Sequence, residues 1–353
     1  MIRIAQIAPL YESVPPKLYG GTERIVAYLS DELVNLGHEV TLFASGDSIT
    51  RANLVAITPE ALRLSNHLDP LAYHILQLQE VFERAGEFDI LHFHTDYLHF
   101  PFSYNNNFTN ITTLHGRLDI DDLKPIYKKF RDMPVVSISD AQREPLPNAN
   151  WIGTVYHGLP FNLYKKGEGK GNYVAFVGRI SPEKRVDRAI EIARQAGFKI
   201  KIAAKIDRAD QLYYEREIKH LFKKPHVEFL GEIGEREKGD LLEDATAMLF
   251  PIDWREPFGI VTIEALACGT PIIAFNHGSV PEIIEHEKTG YVVQNIKEAV
   301  TALQHINQIS RNTCRDSFEN RFSATIMAKN YIRLYDGLLR SEKRGITSMN
   351  INE

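Results

Sequence analysis

The sequence predicts an α/β protein made of two doubly wound, Rossmann-like domains that face each other across a cleft. The chain has 353 residues, which exceeds the length at which one hydrophobic core usually stops growing. Short apolar strands alternate with amphipathic helices from the first residues onward. This alternation starts again after a polar, glycine-rich stretch at residues 165–172. Apolar residues make up 44% of the chain and charged residues 25%, a balance typical of globular domains.

The first half opens with a strand, a helix and a second strand. Residues 2–8 form a short, mainly apolar run, and residues 40–44 form another. Between them, apolar residues recur every three or four positions from Ile25 to Leu36, and Gly37 ends the predicted helix. Such a unit favours a parallel sheet. Further strands are predicted at residues 90–94, 111–114, 135–138 and 151–155.

The second half repeats this pattern. Ser181 and Pro182 are predicted to start its first helix, as the N-cap and the first helical residue. Strands are predicted at residues 173–177, 199–204, 227–230, 247–251 and 271–275, and helices at 186–196, 213–222, 238–244 and 260–268.

The predicted division of the chain follows from these two halves. We expect an N-terminal domain at residues 1–165 and a C-terminal domain at residues 166–322, with the linker at 165–172. A helix at 323–340 carries apolar residues on one face and is expected to pack back on the first domain. The polar residues 341–353 are expected to form a flexible tail.

Composition excludes several classes of protein. A net charge of −5, with both signs mixed along the chain, provides no field that would attract nucleic acid. The only cysteines, Cys268 and Cys314, indicate neither a disulfide framework nor a cysteine-based metal site. The sequence shows no signal peptide and no apolar run of membrane-spanning length, so we expect a cytoplasmic protein with at most peripheral membrane contact.

The most informative loop lies at residues 254–260, between a predicted strand and a predicted helix. Open α/β sheets bind ligands beyond the carboxyl ends of their strands. The start of a helix offers unpaired backbone N–H groups, and Gly259 would let an anion approach them, which predicts a diphosphate site. Glu256 and Glu264 flank this helix start and can accept hydrogen bonds from sugar or ribose hydroxyls. For Glu264, an acidic first helical turn is the structural alternative.

Two cations and a histidine follow other strands. Arg179 and Lys184 come just after the strand at 173–177, where they can stabilise the charge on a departing nucleoside diphosphate. Gly21 precedes the first helix, so the backbone there can approach a phosphate. His115 follows the strand at 111–114, and its imidazole could donate to a sugar hydroxyl or a phosphate. No complete dinucleotide or Walker motif occurs, which counts against a nicotinamide cofactor or ATP hydrolysis.

These residues, in this order, resemble the family 4 retaining glycosyltransferases of the GT-B fold. The most specific similarity runs from Glu256 through Phe258-Gly259 to Glu264, and continues through residues 264–271 and 278–282. The resemblance implies that Glu264 holds the ribose, that Glu256 holds donor-sugar hydroxyls and that His115 lies beside the donor sugar. The implied catalytic residues are His115, Arg179, Lys184 and Glu256. The implied donor-binding residues are Gly21, Arg179, Lys184, Glu256, Pro257, Phe258, Gly259, Ile260 and Glu264.

The resemblance also implies the reaction. It predicts transfer of a hexosyl group from a nucleotide diphosphate sugar with retention of configuration, in carbohydrate biosynthesis, with no metal and no cofactor. A UDP-sugar is the favoured donor and a GDP-sugar the alternative; the acceptor is a small molecule, a glycan or a lipid-linked sugar. Residues 203–207 depart from the family, which often has a glycine at the end of that strand. The identity of the donor's base and sugar therefore does not follow from the resemblance.

Alternatives stay open at this point. A nucleotide-sugar epimerase of the same fold would convert the donor without an acceptor, and a non-catalytic nucleotide-sugar-binding protein would show no turnover. The string from His92 to Asp96 imitates a metallohydrolase ligand set. Asp119 and Asp121 resemble the carboxylate pair of metal-dependent glycosyltransferases, although helix initiation explains them equally well. A basic cluster at residues 124–131 could touch anionic lipid or be a solvated helix face.

Overall fold

The computed structural model describes residues 1–17, 20–63 and 69–349, with side chains described up to residue 341. These residues form two compact units. The first comprises residues 1–160 together with the chain from 324 onward, and the second comprises residues 161–323. Each unit is built on one parallel sheet, of seven strands in the first and six in the second. The prediction of an α/β protein with two doubly wound, Rossmann-like domains is confirmed.

The first unit has the strand order of a doubly wound nucleotide-binding domain, β3-β2-β1-β4-β5-β6-β7, with every described pair parallel. Its strands are β1 (Arg3–Ile7), β2 (Glu39–Ser45), β3 (Asn53–Thr58), β4 (Ile90–Phe93), β5 (Asn110–Thr113), β6 (Pro134–Ser137) and β7 (Asn150–Thr154). Its helices before the crossover are α1 (Gly21–Asn35), α2 (Pro70–Glu83), α3 (Phe100–Ser103) and α4 (Leu123–Lys129).

Burial explains why β1 is a central strand. Ile4, Ala5 and Ile7 have no exposed surface, because helices cover both faces of a parallel sheet. Gln6 is equally buried, which marks the strand as one that carries a polar group into the interior. The sheet changes its winding direction between β1 and β4, so the residues after these strands lie at the switch point where such sheets bind ligands.

The second unit repeats this order as β10-β9-β8-β11-β12-β13, again with every described pair parallel. Its strands are β8 (Tyr173–Arg179), β9 (Lys199–Lys205), β10 (Val227–Gly231), β11 (Ala247–Phe250), β12 (Ile272–Phe275) and β13 (Gly290–Val293). Its helices are α5 (Val186–Ala196), α6 (Gln211–Tyr213), α7 (Glu235–Asp244), α8 (Ile260–Ala267), α9 (Val280–Ile283), α10 (Ile296–Gln304) and α11 (Arg311–Arg321). The switch point lies between β8 and β11.

Two predicted details of the second unit are wrong. Ser181 and Pro182 lie in a turn, and the helix begins at Val186 after Arg185 takes a left-handed conformation with φ 54°. The single helix predicted at 213–222 is broken into the short α6, a π-helical segment at Tyr214–Ile218 and a 3₁₀ turn at Leu221–Lys223. Strands β3 and β13 and helices α2, α3, α9, α10 and α11 were not predicted.

The stretch predicted as a linker is part of the second unit. Gly167, Gly169 and Gly171 donate backbone hydrogen bonds to Cys268, Glu243 and Asp244, at 3.0, 3.1 and 2.9 Å. A Cβ on Gly167 would lie 2.1 Å from the carbonyl oxygen of Glu243. The glycines therefore serve close backbone packing, and not flexibility.

The last helix, α12 (Ala324–Met349), packs on the first unit. The backbone N–H of Ala324 donates to Leu159 at 2.7 Å, and Tyr331 and Tyr335 are buried within this unit. The helix continues beyond the predicted end at residue 340, so residues 341–349 are helical and not a flexible tail. The rest of the predicted tail lies outside the described residues.

Candidate functional site

The loop after β11 and the start of α8 form the centre of the candidate site in the second unit. Gly259 is the N-cap of α8 and has φ 80°, a left-handed conformation that disfavours other residues. A Cβ there would lie 3.1 Å from Cζ of Phe250 and 3.4 Å from Cγ of Glu256. The first turn of a helix has no i−4 acceptors for its N–H groups. Glycine thus leaves the backbone N–H of Ile260 approachable by an anion.

A second glycine fixes the backbone of this loop from the other side. Gly278 has φ 56°, and a Cβ on it would come within 2.3 Å of the carbonyl oxygen of Glu256. The next residue, Ser279, donates its N–H to the Glu256 carbonyl at 3.0 Å and its hydroxyl to the Phe258 carbonyl at 2.9 Å. The segment at 278–279 therefore orients the residues that precede α8. Its part in the site could not be assigned from sequence, although it belongs to the quoted similarity.

Glu256 and Lys184 form a nearly buried ion pair beside Gly259. Only 8% of Glu256 is exposed, and its Oε2 accepts from Nζ of Lys184 and, at 2.9 Å, from the indole N–H of Trp254. Nζ of Lys184 also lies 5.0 Å from the centroid of the Trp254 ring. The structure thus brings two of the predicted site residues together and adds Trp254, whose role the sequence did not indicate.

Arg179, the last residue of β8, lies among carboxylates. It pairs with Glu183, with Asp210 at 3.3 Å and with Asp207 at 3.6 Å. Burial raises the pKa of Asp210 despite the neighbouring guanidinium. Lys205 adds a contact to Asp207 at 2.9 Å. An anion that binds Arg179 must compete with these carboxylates.

Glu264 lies in the second turn of α8 and is 3% exposed. Its Oε1 accepts from Nζ of Lys238 at 2.6 Å, and the same ammonium lies 3.2 Å from Glu235. Lys238 comes from α7, and a lone lysine on an acidic helix gives no sequence signal for this contact. Glu264 is therefore a paired, inward-facing carboxylate, and not only an acidic residue that complements the helix dipole.

The predicted residues of the first unit lie at the start of α1 and just after β5. Gly21 begins α1, and a Cβ on the preceding Gly20 would lie 2.8 Å from Cβ of Pro16. His115 follows β5, and its Nε2 lies 2.8 Å from Nδ1 of His94. Burial lowers the pKa of His115 to about 3, so the imidazole is neutral at physiological pH.

The histidines at 92 and 94 are committed to hydrogen bonds. His92 contacts the hydroxyls of Tyr335 and Thr113 at 2.7 and 2.8 Å, and His94 contacts Gln6 and His115 at 2.7 and 2.8 Å. All four ring nitrogens are thus occupied by protein partners, which argues against the metallohydrolase interpretation. In the described part of the chain, no group of three or more His, Cys, Asp or Glu residues is arranged to hold a metal ion.

The remaining charged candidates lie on the surface. Asp119 pairs with Arg117 at 2.7 Å, and Asp121 pairs with Lys124 at 2.7 Å. The two carboxylates are thus held by separate local cations.

None of the helices in the described part of the chain combines the length and the apolar character needed to span a membrane.

Both sheets have the Rossmann strand order, a helix that begins at a glycine lies beside a buried Lys–Glu pair, and the last helix belongs to the first unit. These three features define a GT-B type glycosyltransferase. The family models agree. Residues 19–145 match Glycosyltransferase Family 4, and residues 163–325 match Glycosyl transferases group 1. The chain belongs to the family 4 glycosyltransferases, which use nucleotide sugars, and the predicted resemblance is confirmed.

Similar proteins cover nearly the whole chain. The N-acetyl-alpha-D-glucosaminyl L-malate synthase of Bacillus anthracis is 25% identical over 383 aligned positions, which span 92% of this chain and 96% of that protein. AviGT4, a glycosyltransferase involved in avilamycin A biosynthesis, has a TM-score of 0.76 at 23% identity, covering 96% of this chain and 98% of its own. HepE of Anabaena, solved in complex with UDP and glucose, has a TM-score of 0.72 at 18% identity, covering 96% and 100%.

Proposed function

We propose that this protein is a retaining hexosyltransferase that takes a sugar from a UDP-sugar, without a metal ion, and passes it to a small-molecule, glycan or lipid-linked acceptor. The observation that carries the proposal is the Lys184–Glu256 pair beside Gly259 at the start of α8. A cation and the N–H groups at the start of a helix suit a diphosphate, and a carboxylate at the same place suits sugar hydroxyls.

The role of each residue follows from its surroundings. Lys184 has a compact ammonium that can move from Glu256 to a phosphate oxygen as charge builds on the leaving diphosphate. Glu256 then accepts from donor hydroxyls while Trp254 continues to hold its Oε2. Two cations, Arg179 and Lys184, take the part that a divalent ion plays in metal-dependent transferases, which supports metal independence.

Retention requires the acceptor to attack from the face that the diphosphate leaves. A departing phosphate oxygen can take the acceptor proton, so no protein base is needed. UDP is the donor nucleotide to test first because HepE of Anabaena, a protein of this fold, was solved with UDP and glucose.

The donor site is tested by thermal melts with UDP, GDP and ADP. A nucleotide present at a hundred times its dissociation constant stabilises the protein by ~2.7 kcal/mol. We expect UDP to raise the melting temperature and Glu264→Gln to weaken UDP binding at least ~10-fold, because a charged acceptor for the ribose is lost. Glu228→Gln is the matched control, since Glu228 is exposed on β10. If none of the three nucleotides shifts the melt, the proposed donor site is wrong.

Turnover separates the enzyme classes. We expect sugar transfer only with an acceptor, a retained anomeric centre by NMR of the product, and activity that survives EDTA. Lys184→Met should lower kcat roughly 10²–10³-fold. Lys199→Met is the control and should leave kcat unchanged, because Lys199 is exposed at the amino end of β9. Conversion of the donor without acceptor would indicate an epimerase. An inverted product, or activity that EDTA abolishes and a divalent ion restores, would contradict the mechanism.

A further inference from the structure

Two loops of the second unit bring Lys184 and Glu256 together, and they are joined by more than this ion pair. Lys184 lies in the turn between β8 and α5, and Glu256 lies in the loop after β11. The backbone N–H of Asp253 donates to the carbonyl of Glu183 at 2.8 Å, so the two loops are joined one residue before Lys184. Asp253 is thus placed where it can control the position of Lys184.

The carboxylate of Asp253 contacts two cations of the other loop and helix. Its Oδ2 accepts from the guanidinium of Arg185 at 2.9 Å and from that of Arg188, also at 2.9 Å. Burial raises the pKa of Asp253, but the two arginines outweigh this and hold the pKa below its ordinary value, so the carboxylate is ionised at neutral pH. Arg188 also lies 5.2 Å from the centroid of the Phe275 ring, at the end of β12. These contacts fix the loop after β11 to the start of α5.

The backbone of Arg185 is strained. Its φ is 54° and its ψ 51°, a left-handed conformation that costs a residue with a Cβ the equivalent of a roughly 5- to 30-fold loss of population. A residue keeps such a conformation only where its surroundings enforce it. Here the guanidinium supplies the contacts, because it donates to Asp187 at 2.7 Å as well as to Asp253. The turn that carries Lys184 therefore depends on the partners of the next residue.

These ion pairs contribute little to the stability of the whole unit. The side chains of Asp253, Arg185 and Arg188 are 42%, 27% and 19% exposed, and ion pairs that remain in contact with water stabilise a fold only weakly. Contacts that join two loops and enforce a strained backbone are instead expected to act on a neighbouring group. That group is Lys184, whose Nζ pairs with Glu256.

We propose that Asp253, acting through Arg185, is a positioning residue that holds the turn after β8 so that the ammonium of Lys184 stands beside Glu256. This inference rests on the proposed function, in which Lys184 stabilises the leaving diphosphate. Without these contacts the turn relaxes at Arg185, and only a fraction of the molecules presents the ammonium at this place. The rate then falls in proportion to that fraction.

Two substitutions of Arg185 separate the strain from the charge. Arg185→Ala and Arg185→Gly both remove the guanidinium, but only glycine takes a φ of 54° without a steric cost. The assay is the release of UDP from UDP-glucose with water in place of an acceptor. We expect Arg185→Ala to lower kcat about tenfold and Arg185→Gly to stay within about threefold of the wild type. A wild-type rate in Arg185→Ala, or equal losses in the two variants, would overturn the proposal.

Asp253→Asn tests whether the carboxylate acts through Lys184. We expect it to lower kcat about fivefold and to leave the melting temperature nearly unchanged. In a Lys184→Met background it should have no further effect, because the ammonium that it positions is absent. Glu191→Gln is the matched control and should leave kcat unchanged, since Glu191 is also partly exposed but pairs with Arg194 of the same helix at 2.6 Å. A further loss in the Lys184→Met background, or a wild-type rate in Asp253→Asn, would contradict the proposed role.

The indole N–H of Trp254 reports on Lys184 without any substrate. It donates at 2.9 Å to the same Oε2 of Glu256 that pairs with Lys184. When the ammonium leaves, the carboxylate charge is less neutralised, the indole hydrogen bond strengthens and its ¹H signal moves downfield. We expect this shift in Lys184→Met and part of it in Arg185→Ala, whereas Arg185→Gly should keep the wild-type signal.

This spectrum separates the proposal from the proposed function. With Trp151→Phe as the assignment variant, the ¹H–¹⁵N spectrum of the free protein has one indole signal to follow. An unshifted Trp254 signal in Lys184→Met or in Arg185→Ala would overturn the positioning role. If the wild type neither binds UDP nor releases it from UDP-glucose, the proposed function is wrong, whereas the spectrum still decides whether Arg185 and its partners hold Lys184 beside Glu256.

Discussion

Removing the ammonium of Lys238 should expose how strongly burial couples it to Glu264. The two side chains are 14% and 5% exposed, and Nζ lies 2.6 Å from Oε1. Lys238→Met keeps most of the aliphatic stem and deletes the charge. Glu264 would then be a buried carboxylate without its cation, which is the costly outcome when one partner of a buried pair is removed.

The size of the effect follows from that burial. Breaking a buried ion pair costs roughly 3–5 kcal/mol, which corresponds to a fall in melting temperature of about 2–4 °C per kcal/mol for a unit of this size. Replacing both partners by apolar residues is often nearly neutral. The double variant Lys238→Met/Glu264→Leu should therefore be more stable than Lys238→Met alone, with a coupling energy of about 2–3 kcal/mol.

Urea unfolding followed by tryptophan fluorescence is the assay. The chain has two tryptophans, so in a Trp151→Phe background Trp254 alone reports on the second unit. Lys219→Met is the control, because Lys219 also lies 2.6 Å from a carboxylate, that of Glu215, but the two side chains are 51% and 42% exposed. This pair should contribute less than ~1 kcal/mol. Equal losses in Lys238→Met and Lys219→Met, or a double variant that is less stable than the single one, would refute the argument.

Three further substitutions test other parts of the structure. Gly259→Ala should lower the free energy of unfolding by about 1–2 kcal/mol, because its backbone is left-handed, and should also weaken UDP binding, because the added Cβ approaches Phe250. Gly197→Ala is the control: its φ is 76° and a Cβ there meets open space, so it should lose stability but keep UDP binding. Equal UDP binding by the two variants would contradict this prediction. Arg311→Met should lower the free energy of unfolding in urea by about 3–5 kcal/mol, because five hydrogen bonds to four carbonyls and one hydroxyl are lost. A loss below ~1 kcal/mol would contradict this and show that water replaces the guanidinium. Burial, together with Glu12, raises the pKa of Glu23 from 4.5 to about 6; the folded state then binds the extra proton between these values, so stability falls as pH rises through that window, by about 2 kcal/mol in total. Glu23→Gln should remove this loss and be the more stable protein at pH 7 but not below pH ~4.5, and parallel stability curves for the two would refute it.

Much of the fold could be read from the sequence because it depends on local pattern. Helix α5 was predicted with its observed bounds, since its apolar residues recur at helical spacing and Gly197 ends it with φ 76°. Strand β3 was missed because it lies at the sheet edge, where partial exposure weakens the apolar signal. The turn at Ser181 was misread because its residues suit a helix start that the backbone takes only at Val186.

The sequence by itself determined the family, the two nucleotide-binding halves and the loop that contains Glu256 and Gly259. These features rest on short sequence motifs and on hydrophobic periodicity, which can be recognised without knowing which residues are in contact. Only the tertiary structure decided the partners: Lys238 for Glu264, Lys184 for Glu256, and Gln6 with His94 for His115. These pairs lie 21 to 88 positions apart in the chain. A hydrogen bond depends on distances of about 3 Å that no spacing in the sequence encodes, and these are fixed only when the sheets bring the strand ends together.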